Sequence, residues 1–213
     1  MFLIKMKYVV VSLFLLSAFA KAQEKVSLFP LNAVSVESGV FKEAALTDFN
    51  YIQALDADRL LAPFLREAGL ESKADSYTNW ENTGLDGHTA GHYISALSMY
   101  YASTGDQKAK KMLEYALAEL DRVQKANGNG YIGGVPGSDA LWAEIKAGKI
   151  NAGSFSLNDK WVPLYNIHKT FNGLKDAWVH AELPQAKRML IELTDWFLDI
   201  TADLSEAQIQ DML

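Results

Sequence analysis

Trp80-Glu81-Asn82-Thr83-Gly84-Leu85-Asp86-Gly87-His88-Thr89-Ala90-Gly91-His92-Tyr93 places two of the four histidines, a Trp, a Tyr, two acids and three glycines in one short run. Core packing alone does not require that mixture. Histidines four apart on a helix project from one face, and glycines before and between them allow a second backbone or a ligand to approach. The run reads as a cleft wall that leads into a helix over residues 88–103. Ile94, Leu97, Ser98 and Tyr101 form the inner stripe of that helix, and Gly105 closes it.

Outward from this segment the helical period dominates. Upstream, Phe41, Ala44, Ala45, Phe49, Ile52 and Leu55 recur at spacings of three and four. Leu60, Leu61, Phe64 and Leu65 mark a second, shorter helix that Gly69 ends. Downstream, Asp106 caps a helix that runs to about Ala126. Five glycines and Pro136 between residues 127 and 137 then predict a tight hairpin or loop of the kind that often lines a site. Residues 141–147 form a short helix. Residues 161–179 and 184–200 form an antiparallel pair, with Pro184 in a first turn, and Ser205 caps a last helix over 205–213. No fixed-period repeat is visible. The predicted fold class is all-α: stacked antiparallel α-hairpins with inserted loops.

The first residues form a different kind of segment. Lys5 and Lys7 precede an apolar run from Tyr8 to Phe19 that ends in the small residues Ala18, Ala20 and Ala22, the order of a secretory signal peptide over residues 1–22. The run falls short of the ~20 apolar residues of a membrane span. Cleavage before Gln23 leaves an extended lead-in over 23–40 and a helical domain over 41–213. The expected location is therefore exported, periplasmic or extracellular, with no membrane contact after cleavage. Loss of Lys5, Lys7 and Lys21 lowers the formal charge by three, from −6 to −9. An acidic exported chain repels nucleic acid and anionic lipid, so neutral small molecules or glycans are the more natural ligands. The chain has no cysteine, which excludes a lipid anchor on cysteine and a disulfide framework.

His88 and His92 have the spacing of a helical zinc pair, but Thr89 stands where a metalloprotease needs glutamate. Three readings of the pair stay open: sugar-hydroxyl recognition, structural histidines, and metal binding. An imidazole offers one donor and one acceptor, which suits a sugar hydroxyl pair. Trp161-Val162-Pro163-Leu164-Tyr165-Asn166-Ile167-His168-Lys169 is the second constellation. Its aromatics, Trp161 and Tyr165, could stack on sugar C–H faces while Asn166 and His168 hold hydroxyls; the alternative makes the aromatics core and Lys169 solvated. Trp80 reads first as core and second as a stacking face. Glu81, Asp86 and Glu144 are eligible general acids by type, but a glycosidase needs a carboxyl pair and the sequence measures no separation.

Four runs in order, Leu55-Asp56-Ala57-Asp58-Arg59-Leu60-Leu61-Ala62-Pro63-Phe64, residues 77–93, Tyr131-Ile132-Gly133-Gly134, and Trp161 to Lys169 continued by Phe171-Asn172-Gly173-Leu174-Lys175-Asp176-Ala177, resemble glycoside hydrolase family 127, the β-L-arabinofuranosidase-type enzymes. The resemblance spans about residues 34–213. It implies an (α/α)6 barrel of which this chain supplies approximately the first half. In that family a zinc-held cysteine thiolate is the nucleophile and a glutamate the acid/base, both in the second half of the barrel. The expectation is therefore a chain with no catalytic residue, no metal site and no cofactor of its own, zinc belonging to a full-length relative. By motif, His92 and His168 carry over as sugar-contacting residues, with His88, Trp80, Tyr165 and Trp161 as further substrate-binding candidates. Where relatives often have Phe-x-x-Ala-Gln, this chain has Phe41-Lys42-Glu43-Ala44-Ala45, so one expected contact does not carry over. The rival reading is a non-catalytic helical carbohydrate-binding or protein-interaction module.

Overall fold

The computed structural model describes residues 27–213, so the signal peptide, its cleavage point and the first residues of the lead-in lie outside the described residues. Residues 27–30 carry no regular structure, and Leu31–Leu213 form a compact unit. Among the described residues the lead-in holds one 3-10 turn, Leu31–Ala33, and otherwise runs exposed without strands. Among the described residues there are eight α-helices: α1 (Val40–Ala54), α2 (Ala57–Glu67), α3 (His88–Thr104), α4 (Gln107–Asn127), α5 (Ser138–Lys146), α6 (Pro163–Val179), α7 (Pro184–Thr201) and α8 (Glu206–Met212). The domain is all-α. No described helix is long and apolar enough to cross a membrane.

The helix ends follow local chemistry. The Asp106 carboxylate accepts from the Lys108 and Ala109 N–H groups, both at 2.8 Å, which satisfies two of the orphan donors that open α4. Gly105 and Gly69 take left-handed conformations just past α3 and α2. Ser205 and Gln208 form a reciprocal capping box on α8.

The glycine-rich 127–137 segment takes the loop form of the two expected, with no strand in it, and its residues 131–135 are buried. Its glycines are required by close packing: a Cβ on Gly134 would lie 2.8 Å from Pro63 Cβ and 2.9 Å from the Asp86 carbonyl oxygen. The loop braces the 85–87 turn from beneath. The strands instead lie at β1 (Ala152–Gly153), β2 (Ser156–Leu157) and β3 (Lys160–Trp161), an antiparallel sheet in the order β1-β2-β3. Asn158 and Asp159, both at positive φ, link β2 to β3 as in a type I′ turn, which needs that conformation at its two central residues. The Asn158 amide also donates to Glu144 Oε2 and the Lys149 carbonyl, and its oxygen accepts from the Asn151 N–H. Helix α6 accordingly starts at Pro163 and not at Trp161, with the proline at its first turn.

Three pairings define the layering. Asn166 donates to the carbonyls of Leu85 and Asp86, Asn172 donates to Ser95 Oγ at 3.0 Å, and residues 101–105 share a cavity wall with residues 180–182. Sequence numbers rise together on both sides, so α3 and α6 run parallel. Helices α4 and α7 return antiparallel to them through short links. The α3–α6 contact is glycine-mediated: a Cβ on Gly91 would overlap the Lys169 carbonyl, and one on Gly173 would sit 2.9 Å from the Gly91 carbonyl oxygen. Small residues at such a crossing let the two backbones touch. Ile94, Leu97, Leu113, Leu117, Leu120 and Leu174, all essentially inaccessible, fill the core between the helices. The parallel arrangement brings the first turns of α3 and α6 to the same end of the array.

Candidate functional site

Helix α3 starts at Gly87, which has no side chain to cap it; φ there is +96°, and an added Cβ would meet the Phe64 ring at 2.8 Å. The cap comes from upstream. Glu81, in the 3-10 turn Asn79–Asn82, folds its buried carboxylate under the helix start. Oε2 accepts from the Gly87 N–H at 2.8 Å and Oε1 from the Thr89 N–H at 3.0 Å. Oε1 also lies 2.7 Å from His88 Nδ1, which is 2.8 Å from the Leu85 carbonyl. Both neighbours of Nδ1 are acceptors, so Nδ1 carries the proton. Burial pushes the Glu81 carboxyl upward, but the hydrogen bonds from His88, Thr89 and Gly87 outweigh it and hold it below the usual carboxylate range. Burial pulls His88 downward, and the bonds to Glu81 and Leu85 overcome it and raise its pKa. An anion at a helix N-terminus is further favoured by the helix dipole.

The start of α6 is pinned by a different device. Asn166 is fully buried, and its amide donates to Leu85 O at 3.0 Å and Asp86 O at 2.6 Å. The expectation that Asn166 holds ligand hydroxyls is therefore corrected: its donors join the two motifs of the sequence. Val162 occupies a left-handed conformation, φ 37°, ψ 53°, immediately before Pro163. For a β-branched residue that conformation is strained, at a cost of order 1–3 kcal/mol. It turns the chain from β3 into α6, between Trp161 and Tyr165.

These two starts bring the sequence-singled residues together. The His88 ring lies 6.3 Å from Trp80, 6.3 Å from His92 edge-on and 6.1 Å from Tyr165. Lys169 Nζ sits 4.5 Å over the Tyr165 ring. Trp161 lies beside Gly84, where an added Cβ would come within 3.6 Å of the Trp161 Cβ. His92 and His168 are both exposed, and His168 is close enough to act on His92: partial burial, then the charges of Lys169, His88 and His168, lower the His92 pKa. Trp80 is 63% exposed, which overturns its reading as core, and Tyr165 and Trp161 are about two-fifths exposed. His88 alone of the six candidates is buried. Tyr165 also borders a cavity of about 410 Å³ formed with the β1–β2 hairpin and residues 211–213.

The eligible acids are all committed. Glu81 caps α3. Asp86, also buried, receives the Arg66 guanidinium at 2.9 Å and the Gly84 N–H at 2.9 Å, and Glu144 accepts from Asn158. The residues present do not fit zinc: the sequence offers no thiolate, His88 Nδ1 is bound to Glu81 and Leu85, and among the described residues no three metal-ligating side chains cluster. Sequence reasoning missed the capping role of Glu81 and the place of Lys169 over Tyr165. The readable signal for the first was a helix start at Gly87 with no capping side chain and an acid, Glu81, six residues upstream.

Stacked helical hairpins whose parallel helices α3 and α6 begin at one shared end define an (α/α)-type domain. The β-L-arabinofuranosidase, GH127 catalytic domain matches residues 33–213. The chain belongs to that glycoside hydrolase family. No curated protein matches it.

Proposed function

We propose that this chain forms the sugar-binding N-terminal portion of an exported GH127 catalytic domain acting on L-arabinofuranose-type glycans. The observation that carries the reading is the convergence of His92, His168 and the exposed faces of Trp80, Tyr165 and Trp161 where α3 and α6 both begin. Exposed imidazoles can exchange donor and acceptor roles with vicinal hydroxyls, and exposed rings can cover the apolar face of a sugar. Lowering of the His92 pKa keeps that ring neutral near pH 7, with one nitrogen donating and one accepting. Hydrolysis with a thiolate nucleophile requires a cysteine, and these 213 residues contain none. In this reading the chain binds and orients the sugar, and the thiolate is not among its residues.

Titration of the purified chain with methyl β-L-arabinofuranoside, followed by tryptophan fluorescence, tests the reading. Saturable quenching that is lost in Trp80→Ala and weakened in His92→Ala and His168→Ala supports it; no response at any concentration overturns it. The same protein incubated with an aryl β-L-arabinofuranoside, with and without zinc, should show no turnover. Turnover that survives repurification and vanishes in Glu81→Ala or Asp86→Ala would assign the chemistry to these residues instead. Export is tested by the mass of the mature product, expected to begin at or near Gln23; an intact Met1 on a cytoplasmic product overturns it.

A further inference from the structure

We propose that Glu81 is a positioning residue that acts through His88, making the Glu81–His88 pair a built-in presenter of one imidazole nitrogen to the sugar. The inference rests on the sugar-binding reading above and names a residue pair that reading leaves without a task. His88 is buried and held on one edge only: Nδ1 lies 2.7 Å from Glu81 Oε1 and 2.8 Å from the Leu85 carbonyl. On the other edge Nε2 has Thr89 Oγ1 at 3.4 Å, too long for a strong hydrogen bond. The ring itself is the hub of the aromatic group, within 6.1–6.3 Å of Trp80, His92 and Tyr165 by centroid. A ring with one nitrogen locked and the other nearly unpaired has a single tautomer and a single orientation to offer.

The carboxylate does this without spending a flexible contact. Glu81 is itself fixed by the Gly87 and Thr89 N–H groups, so helix α3, the acid and the imidazole form one rigid unit. The neutral ring then carries its proton on Nδ1 and offers Nε2 as an acceptor; on protonation Nε2 becomes a donor. The groups facing it are Glu81 from the 3-10 turn, His92 from α3, and Tyr165 with Lys169 from α6. Lys169 opposes the charged form and Glu81 favours it. Glu81 therefore decides which hydrogen-bonding role His88 presents at a given pH.

Nitrogen chemical shifts of histidine side chains across a pH titration give the test on the unaltered chain. The expected result is neutral His88 as the Nδ1–H tautomer, with a midpoint above that of His92. An Nε2–H tautomer overturns the proposal whether or not any sugar binds, so this readout separates from the sugar-binding reading. Glu81→Gln should lower the His88 midpoint and weaken methyl β-L-arabinofuranoside binding about tenfold, and Glu81→Asp should restore part of both. In a cycle with His88→Gln, the second substitution should add little to the first, as for groups acting as one unit. Additive losses, or an unmoved His88 midpoint in Glu81→Gln, would show that Glu81 only caps the helix.

Discussion

Two aromatic groups in this molecule are alike in composition and opposite in fate. Tyr131, Trp142 and Trp196 pack ring to ring with centroids 4.7–6.1 Å apart and are 3–5% exposed. Trp80, Tyr165 and Trp161 are 63%, 41% and 38% exposed around His88 and His92. The buried trio is brought together by α5, α7 and the 131–135 loop, and burial, with a smaller push from the charges of Glu67 and Asp139, raises the Tyr131 hydroxyl to about 12. The exposed group gathers instead at the shared starts of α3 and α6. A ring's type therefore says little about its task; the end of the helix array at which it lands says more.

The comparison can be broken most forcefully from the buried side. Trp196→Ala should cost ~3–5 kcal/mol in urea unfolding, the usual result of removing a large core ring. A loss below about 1 kcal/mol would mean the trio is not a core. Gly91→Ala comes next, since the added methyl has no room against Lys169 and must part α3 from α6. It should cost ~1–3 kcal/mol and reduce sugar binding as well, because it separates the two starts that form the site. A variant with unchanged stability would refute the close helix crossing.

The ionisable pair gives a smaller, pH-dependent effect. The lowered Glu81 pKa contributes stability that is present above the ordinary carboxylate range and lost as acid carries the pH down through its folded value. The raised His88 pKa contributes stability fully present below its ordinary 6.5 and lost as pH rises through its folded value. The lowered His92 pKa has the opposite sign, so protonating that ring below 6.5 opposes folding. Thermal melts of Glu81→Gln across pH should show the acid-side loss flattened relative to the unaltered chain. The smallest stability effect belongs to Trp80→Ala, within about 0.5 kcal/mol for a surface ring, while sugar-induced quenching disappears. A large drop in melting temperature there would return Trp80 to the core.

Helix identity was legible because each helix carries its own period and punctuation. Asp106, Gly105, Pro184 and Ser205 act within one turn of where they stand, and the apolar stripe of α3 needs no partner to be read. The motifs around His88, His92, Tyr165 and His168 were legible as polar-aromatic runs for the same local reason. The β2–β3 turn at Asn158 and Asp159 was missed because two polar residues specify positive φ less plainly than glycine does.

What the sequence by itself determined is the helical hairpin chain, its family and the two motifs. Only the tertiary structure decided which of their side chains are free. Gly91 and Gly173 let α3 and α6 touch in parallel, and Asn166 ties the second start to the 85–86 turn of the first; both act across some eighty residues. Glu81 and Asn166 look, in sequence, like groups available to a ligand, yet the Glu81 carboxylate and the Asn166 amide nitrogen are used by backbone groups that folding brings near. Hydrogen-bond satisfaction depends on long-range neighbours, whereas periodicity and capping depend on the next turn.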